Sequence, residues 1–279
     1  MQLTRLPSPR LRPFVRLMWA SAPAGEPVER PGAREHVLPT GGMHLVFRLG
    51  GPPLRLFRNG ADADGFTVSH AMVGGARSAF FVRDVSIQTH SVGVMLHPGA
   101  ARALLGAPEG ALAECHTPLD ALWGADAGFA LEQLQGAASL ERQLAILEAL
   151  LSARLAARAM HGLHPAVAQA LASLSSADDD GQAVAIRELV KQSGYSHRRF
   201  IELFRGMTGI APKQYTRMLR FDRVLGQFVL DPARPWVELA LEAGYSDQAH
   251  FNREFLAIAG MSPQAYRRAA PASSRHVQI

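Results

Sequence analysis

The chain has one cysteine, two lysines and no apolar run of membrane-spanning length. A lone Cys115 excludes an internal disulfide and a cysteine-based zinc site. With no run of about 18 apolar residues, a membrane span is excluded as well. The segment opening Met1-Gln2-Leu3-Thr4-Arg5 leads into no apolar stretch of the secretory type. A cytoplasmic, bacterial-type protein without membrane partners is the expectation. Lysine is confined to Lys191 and Lys213, so almost all positive charge is arginine, which reads as genome base composition.

What is present is unevenly placed. The 279 residues leave room for two domains at the usual ~100–200 residues each, each with a sizeable core. From Gln182 onward there are 14 Lys and Arg against 8 Asp and Glu, whereas Met1–Gly181 carries 15 against 16. The whole positive excess sits in the last third, which points to a polyanion partner there.

Texture divides the chain further. Up to about residue 100, short apolar runs alternate with turn residues: 43–47, 54–57, 66–69, 79–82, 85–89 and 92–96. This pattern predicts a β-sandwich or barrel. After Pro98 the periodicity becomes helical, with short helices at 100–105 and 118–122. A long helix is predicted over 139–160, where Leu140, Leu144, Leu147, Leu150, Leu151 and Leu155 share one face. Its heptad pattern is short, so packing is favoured over a dimer seam. A further helix starts after Pro165, and the polar Ser173–Gly181 reads as a linker. The expected division is a β-rich domain at 1–110, a helical extension at 111–175 and an all-α domain at 182–270. The fold class is α+β.

The all-α part says one thing twice. Gly194-Tyr195-Ser196 is followed by Phe200, Phe204, Gly209, Pro212 and Tyr215; Gly244-Tyr245-Ser246 by Phe251, Phe255, Gly260, Pro263 and Tyr266. Two copies are too few for a solenoid. Each copy has an apolar-faced first helix (Ile186, Leu189, Val190; Trp236, Leu239, Ala240), ended by a glycine for which positive φ is cheap. A serine then caps a second amphipathic helix. Helix, tight turn and helix make a helix-turn-helix unit, at 184–208 and again at 235–259. Tyr215, Met218, Leu219, Leu225, Phe228 and Val229 mark a connecting helix between them.

Helical periodicity turns Arg198, Ile201, Glu202 and Arg205 outward in the first copy, and Ala249, Asn252, Arg253 and Leu256 in the second. Arginine matches guanine, asparagine adenine, a carboxylate accepts from cytosine, and Ile or Ala touches the thymine methyl. Ser196 and Ser246, beside helix N-termini, are candidate phosphate contacts. Two such helices about 34 Å apart would enter successive major grooves. Double-stranded DNA is therefore the expected partner.

The run Gly244-Tyr245-Ser246-Asp247-Gln248-Ala249-His250-Phe251-Asn252-Arg253-Glu254-Phe255, with Gly260, Ser262-Pro263 and Tyr266, resembles the C-terminal signature of the AraC/XylS family of bacterial transcription regulators. The resemblance covers about residues 183–270. It implies a seven-helix module reading asymmetric DNA sites, with helix positions such as Arg198, Glu202, Gln248, Asn252 and Arg253 approaching DNA; His197, next to Ser196, is counted with the candidate DNA-binding residues. Glu202 stands where many members carry arginine, and Leu256 where a basic residue is frequent.

Val37–Phe47 and Gly93–Gly99 are similar to the small β-rich domain ahead of some AraC-type modules, where sensor domains resemble cupin barrels and bind small effectors. A homodimer and RNA polymerase are further candidate partners, and the effector is open. The isolated His36, His44, His70, His90 and His97 lack the close pair of a cupin metal centre, and no acid completes a nucleophile at Cys115-His116. No metal, no cofactor and no catalytic residue is expected. A cupin-like metal oxygenase or isomerase is the competing class, while a DNA-repair alkyltransferase fails for want of cysteines.

Overall fold

The computed structural model describes residues 1–23, 25, 30–59, 61–157, 162–179, 186–271 and 273–279, with backbone alone for 176–179. Nine strands come first: β1 (Gln2–Arg5), β2 (Val15–Ser21), β3 (Arg34–Val37), β4 (Met43–Arg48), β5 (Arg55–Phe57), β6 (Phe66–Thr67), β7 (Ala71–Gly74), β8 (Phe81–Asp84) and β9 (Ser91–Leu96). Then follow α1 (Ala100–Leu104), α2 (Glu109–Leu112), β10 (His116–Pro118), α3 (Asp120–Trp123), α4 (Asp126–Gln135) and α5 (Leu140–Ala156). The last part holds α6 (Pro165–Asp179), α7 (Ile186–Ser193), α8 (His197–Thr208), α9 (Pro212–Leu230), α10 (Trp236–Glu242), α11 (Gln248–Ala259), α12 (Pro263–Ala269) and β11 (His276–Gln278).

The strands form two antiparallel sheets, ordered β1-β2-β9-β4-β7-β10 and β11-β3-β8-β5-β6. Among the described residues the sheets do not join, so the sandwich forms and not the closed barrel. Alternation along β4 shows why the first sheet is two-faced. Met43, Leu45 and Phe47 are buried in one cluster with Leu104, Leu134, Leu144, Leu147 and Leu151 of α1, α4 and α5. Val46 points the other way and meets Leu54, Leu56 and Phe81 between the sheets. The long helix thus packs on the sheet, as its periodicity predicts; Ser139 caps it by accepting from the Arg142 N–H at 3.2 Å. The predicted helix end at Met160 lies outside the described residues.

Two expectations change. Val85–Thr89 is loop, because the Asp84 carboxylate takes the Ser86 N–H at 2.7 Å and turns the chain out of the ladder. Residues 173–179, polar enough to read as linker, are the end of α6. That helix is held by packing: Val167, Ala170 and Leu174 share a core with Leu189, Phe200 and Phe204 of α7 and α8. The C-terminal tail adds a strand that no pattern in the sequence marks. After α12 the chain returns to the β-rich domain, where β11 pairs with β3 (His276↔Val37, Val277↔His36). The Glu35 carboxylate, held below its usual range by His276 and Arg83 despite burial, accepts from both.

Near the sheet–sheet interior, His44 and His116 flank Gly74 on either side of β7. The His116 ring meets Phe81 of the opposite sheet at 4.6 Å. Burial, with Arg275 and His276 nearby, pushes His44 down to about 4. Burial, with Arg77, His44 and Arg83 nearby, pushes His116 down to about 3. Both bind protons in the unfolded chain near pH 6.5 but not in the fold, so stability falls as pH drops below about 6.5. Buried Glu109, pushed up to about 7, works oppositely between its unfolded value and that pH. Thermal unfolding at pH 7 and 5 should show a lower Tm at pH 5, a smaller drop for the double variant His44→Gln/His116→Gln, and a larger one for Glu109→Gln. An unchanged drop in the double variant would remove these histidines from the account.

Candidate nucleic-acid interface

Each helix-turn-helix unit is assembled around aromatic residues. Phe200 and Phe204 are fully buried in the first and Phe251 and Phe255 in the second. In the second, Trp236 stacks on Phe228 at 4.6 Å and lies 5.6 Å from Phe255, and Tyr266 closes the same cluster. The turn glycines adopt positive φ, 71° at Gly194 and 83° at Gly244, which costs a side-chain-free residue little. Tyrosine differs between the copies. Tyr245 is buried, whereas Tyr195 stays 39% exposed and its hydroxyl meets His164 Nε2 at 3.2 Å. Its packing is against the start of α6, not within the unit's core.

The caps also differ. Ser196 caps α8, accepting from the Arg199 N–H at 3.4 Å. The expected equivalent, Ser246, does not cap α11; Asp247 does, accepting from the His250 N–H at 2.7 Å. The second turn is one residue longer, which moves the repeat offset from 50 at the glycines to 51 at the phenylalanines. Ser246 instead donates to Asp247 Oδ2 and pairs with His250 Nδ1, each at 3.1 Å. The His250 N–H and the Ser246 hydroxyl hold Asp247 below the usual carboxylate range. An anion therefore sits at the α11 N-terminus, favourable to the helix dipole and repulsive to a phosphate there.

The outward faces are open. Ser196, His197, Arg198, Glu202 and Arg205 are exposed on the first unit, and Ser246, Gln248, Ala249, Asn252 and Arg253 on the second. Ile201 is half-buried and touches the first unit's core, placing it at the face's edge. Arg198 is 91% exposed and its Nε lies 3.1 Å from Glu202 Oε1. Arg199, absent from the residues that helical periodicity turns outward, also reaches Glu202, at 3.8 Å. Glu202 is thus a carboxylate between two arginines, and exposed pairs of this kind are weak enough to exchange partners.

The units are held together by α9. On one side Tyr215 packs edge-on to Phe204, with ring centroids 5.6 Å apart. On the other, Arg217 and Arg220 pair with Glu254 of α11 at 2.8 and 3.5 Å. Glu254 points inward to this clamp while its neighbour Arg253 points to solvent. Elsewhere, Cys115 Sγ faces Leu112 O at 3.3 Å while the adjacent His116 ring lies edge-on to Phe81. Among the described residues, no three His, Cys, Asp or Glu side chains are grouped to hold a metal ion, and no helix is long and apolar enough to cross a membrane.

Residues 189–269 match the family described as a helix-turn-helix domain, and residues 3–118 match a domain of unknown function, DUF6597. Over 84 residues the chain is 30% identical to the "probable transcriptional regulator LumQ" of Photobacterium leiognathi, covering 30% of this chain and 34% of that protein. It is 32% identical over 84 residues to YkgA of Escherichia coli strain K12, likewise named as an HTH-type transcriptional regulator, covering 30% of this chain and 35% of the relative. The match spans about a third of the length of these curated relatives. The structure of ToxT from Vibrio cholerae superposes with a TM-score of 0.50 at 10% identity, over 87% of this chain and 97% of that one, which is a likeness of fold. The helix-turn-helix match and the transcriptional-regulator relatives agree with the AraC/XylS resemblance of the C-terminal region, and a distinct N-terminal domain stands ahead of it.

Proposed function

We propose that the protein is a sequence-specific DNA-binding regulator of transcription that reads two unlike half-sites with one chain. The observation that carries this reading is the doubled helix-turn-helix scaffold with non-equivalent exposed faces. Arg198, Glu202 and Arg205 form one face; Gln248, Ala249, Asn252 and Arg253 form the other. The basic balance of the region, 14 positive against 8 negative side chains from Gln182 onward, supports the same partner.

In this reading α8 and α11 enter the major groove. Arg253 and Asn252 read guanine and adenine edges, Ala249 touches a thymine methyl, and Gln248 reaches a base near the helix start. Arg205 and Ser196 hold backbone phosphate. Ser246 is a weaker phosphate contact than Ser196, because Asp247 beside it is anionic. On the first face, contact with DNA frees Arg198 and Arg199 from Glu202, leaving the carboxylate to accept from cytosine. Residues 1–110 form the sensing or oligomerisation domain, 111–175 the helical extension and 182–270 the DNA-binding module. The α6 core shared with α7 and α8 favours counting Pro165–Asp179 with that module. A small-molecule effector, a second copy of the chain and RNA polymerase are proposed partners.

Selection of random DNA fragments by the purified protein, followed by sequencing, tests the reading directly. Two different motifs about ten base pairs apart are expected; a single palindrome or no enrichment would overturn it. Arg253→Ala should weaken specific binding by about 1–3 kcal/mol and relax preference at one base. Unchanged affinity and preference would remove Arg253 from the interface. Arg205→Ala should weaken all sequences alike and reduce the salt slope by about one unit, and a loss confined to one sequence would contradict its phosphate role.

A further inference from the structure

The second helices of the two units end in the same way, and the N-terminal domain holds both ends. Met207 and Ile258 are equivalent in the repeat, at the offset of 51 set by the longer second turn. The Met207 carbonyl accepts the Gly99 N–H at 2.9 Å, and the Ile258 carbonyl accepts the Phe80 N–H at 2.8 Å. The next carbonyl, of Ala259, lies 3.0 Å from His36 Nδ1, which must be protonated to donate to it. Carbonyls in a helix's last turn have no partner within the helix. Here donors from another domain satisfy them at matching positions.

The residues that end these helices repeat the correspondence. Gly209 and Gly260 take positive φ, 83° and 72°. A Cβ at Gly209 would lie 2.7 Å from the Ala76 methyl, and one at Gly260 would run into the Phe80 ring. Both close approaches are made by one short segment, residues 76–80. Between them, Ser78 Oγ accepts from Gln214 Nε2 at 3.1 Å. Gln214 in turn takes the Ala211 N–H at the start of α9, at 3.0 Å. One segment therefore touches the end of α8, the start of α9 and the end of α11.

That segment is itself fixed. Ala76 is fully buried and its carbonyl accepts the Glu114 N–H at 2.9 Å, and the preceding Gly75 N–H donates to Cys115 at 2.9 Å. The Ser78 N–H and hydroxyl both donate to Glu114, at 3.0 Å each. Phe80 stacks on His36 with ring centroids 4.2 Å apart. The faces that would meet DNA are untouched by this contact, since Arg198, Asn252 and Arg253 remain exposed.

We infer that Ala76, Ser78 and Phe80 are positioning residues for DNA recognition: they hold both second helices by equivalent ends and so set the half-site spacing the chain accepts. The inference rests on the reading of both units as DNA readers. Its rival is that α9 alone, through Tyr215 and the Arg217–Glu254–Arg220 clamp, sets the geometry.

The two are separated with full-length protein on three sets of duplexes: both selected half-sites at their selected spacing, both with one base pair added or removed, and one half-site scrambled. Phe80→Ala should bind the selected duplex about tenfold more weakly, as tethered units lose effective concentration when their geometry loosens. It should lose most of the wild-type penalty for altered spacing and bind the single half-site unchanged. Ser78→Ala, which keeps the ring and the Phe80 N–H, should shift spacing preference in the same direction by less, and serves if Phe80→Ala fails to unfold cooperatively. Unaltered spacing preference in folded variants would assign the geometry to α9 and overturn the inference, as would equal loss on single and paired half-sites. Absence of any sequence preference in the wild-type protein would overturn the DNA reading itself.

Discussion

A helix ends in carbonyls that its own amides cannot reach, and the destination of those carbonyls organises this molecule. At the ends of α8 and α11 they are taken up by Gly99, Phe80 and His36 of the N-terminal domain. The arrangement needs a residue that turns the chain with positive φ and lets another backbone approach closely, and glycine alone meets both demands. Gly209 and Gly260 therefore do more than terminate a repeat. They are two of the points at which the helical module seats on the sandwich.

The seating is reinforced by continuity of the core. Buried side chains of the first sheet, of α4 and α5, and of the second helix-turn-helix unit form one contiguous apolar cluster. The first unit keeps a separate core with α6. The tail then adds β11 to the second sheet, and Arg275 reaches both Asp222 of α9 and the Pro39 carbonyl. The second unit is thus the more deeply joined to the N-terminal domain, while the first is joined through Gly99 and the close approach of Ala76 to Gly209. Any effector acting on the sandwich would act on a body already continuous with half of the helical module.

Much of this was legible in the residues. Helical periodicity located α5 and the apolar faces of α8 and α11, because packing against a core on one side leaves a 3.6-residue signature. The Gly-Tyr-Ser repeat located both turns. Other features left weaker traces. β2, β3 and β7 lacked a sufficiently bounded alternation, and β11 is three residues long, so pairing with β3 makes it a strand where its own composition does not. The polar end of α6 read as linker because its helical state depends on Leu174 and Val167 meeting Phe200 and Phe204, contacts remote in sequence. The cap at Asp247 was there to be read: the offset lengthens by one residue between turn and helix, and an aspartate sits at the insertion.

The sequence by itself determined the double helix-turn-helix scaffold, the family resemblance and the inequality of the two outward faces, because these depend on local periodicity, turn glycines and side-chain type. Only the tertiary structure decided that the sandwich stays open, that the tail becomes its strand, and that both second helices are capped by the same domain. Those features depend on which distant groups come together. An unsatisfied carbonyl at a helix end is visible in any sequence with a helix; the donor that meets it is visible only in the fold.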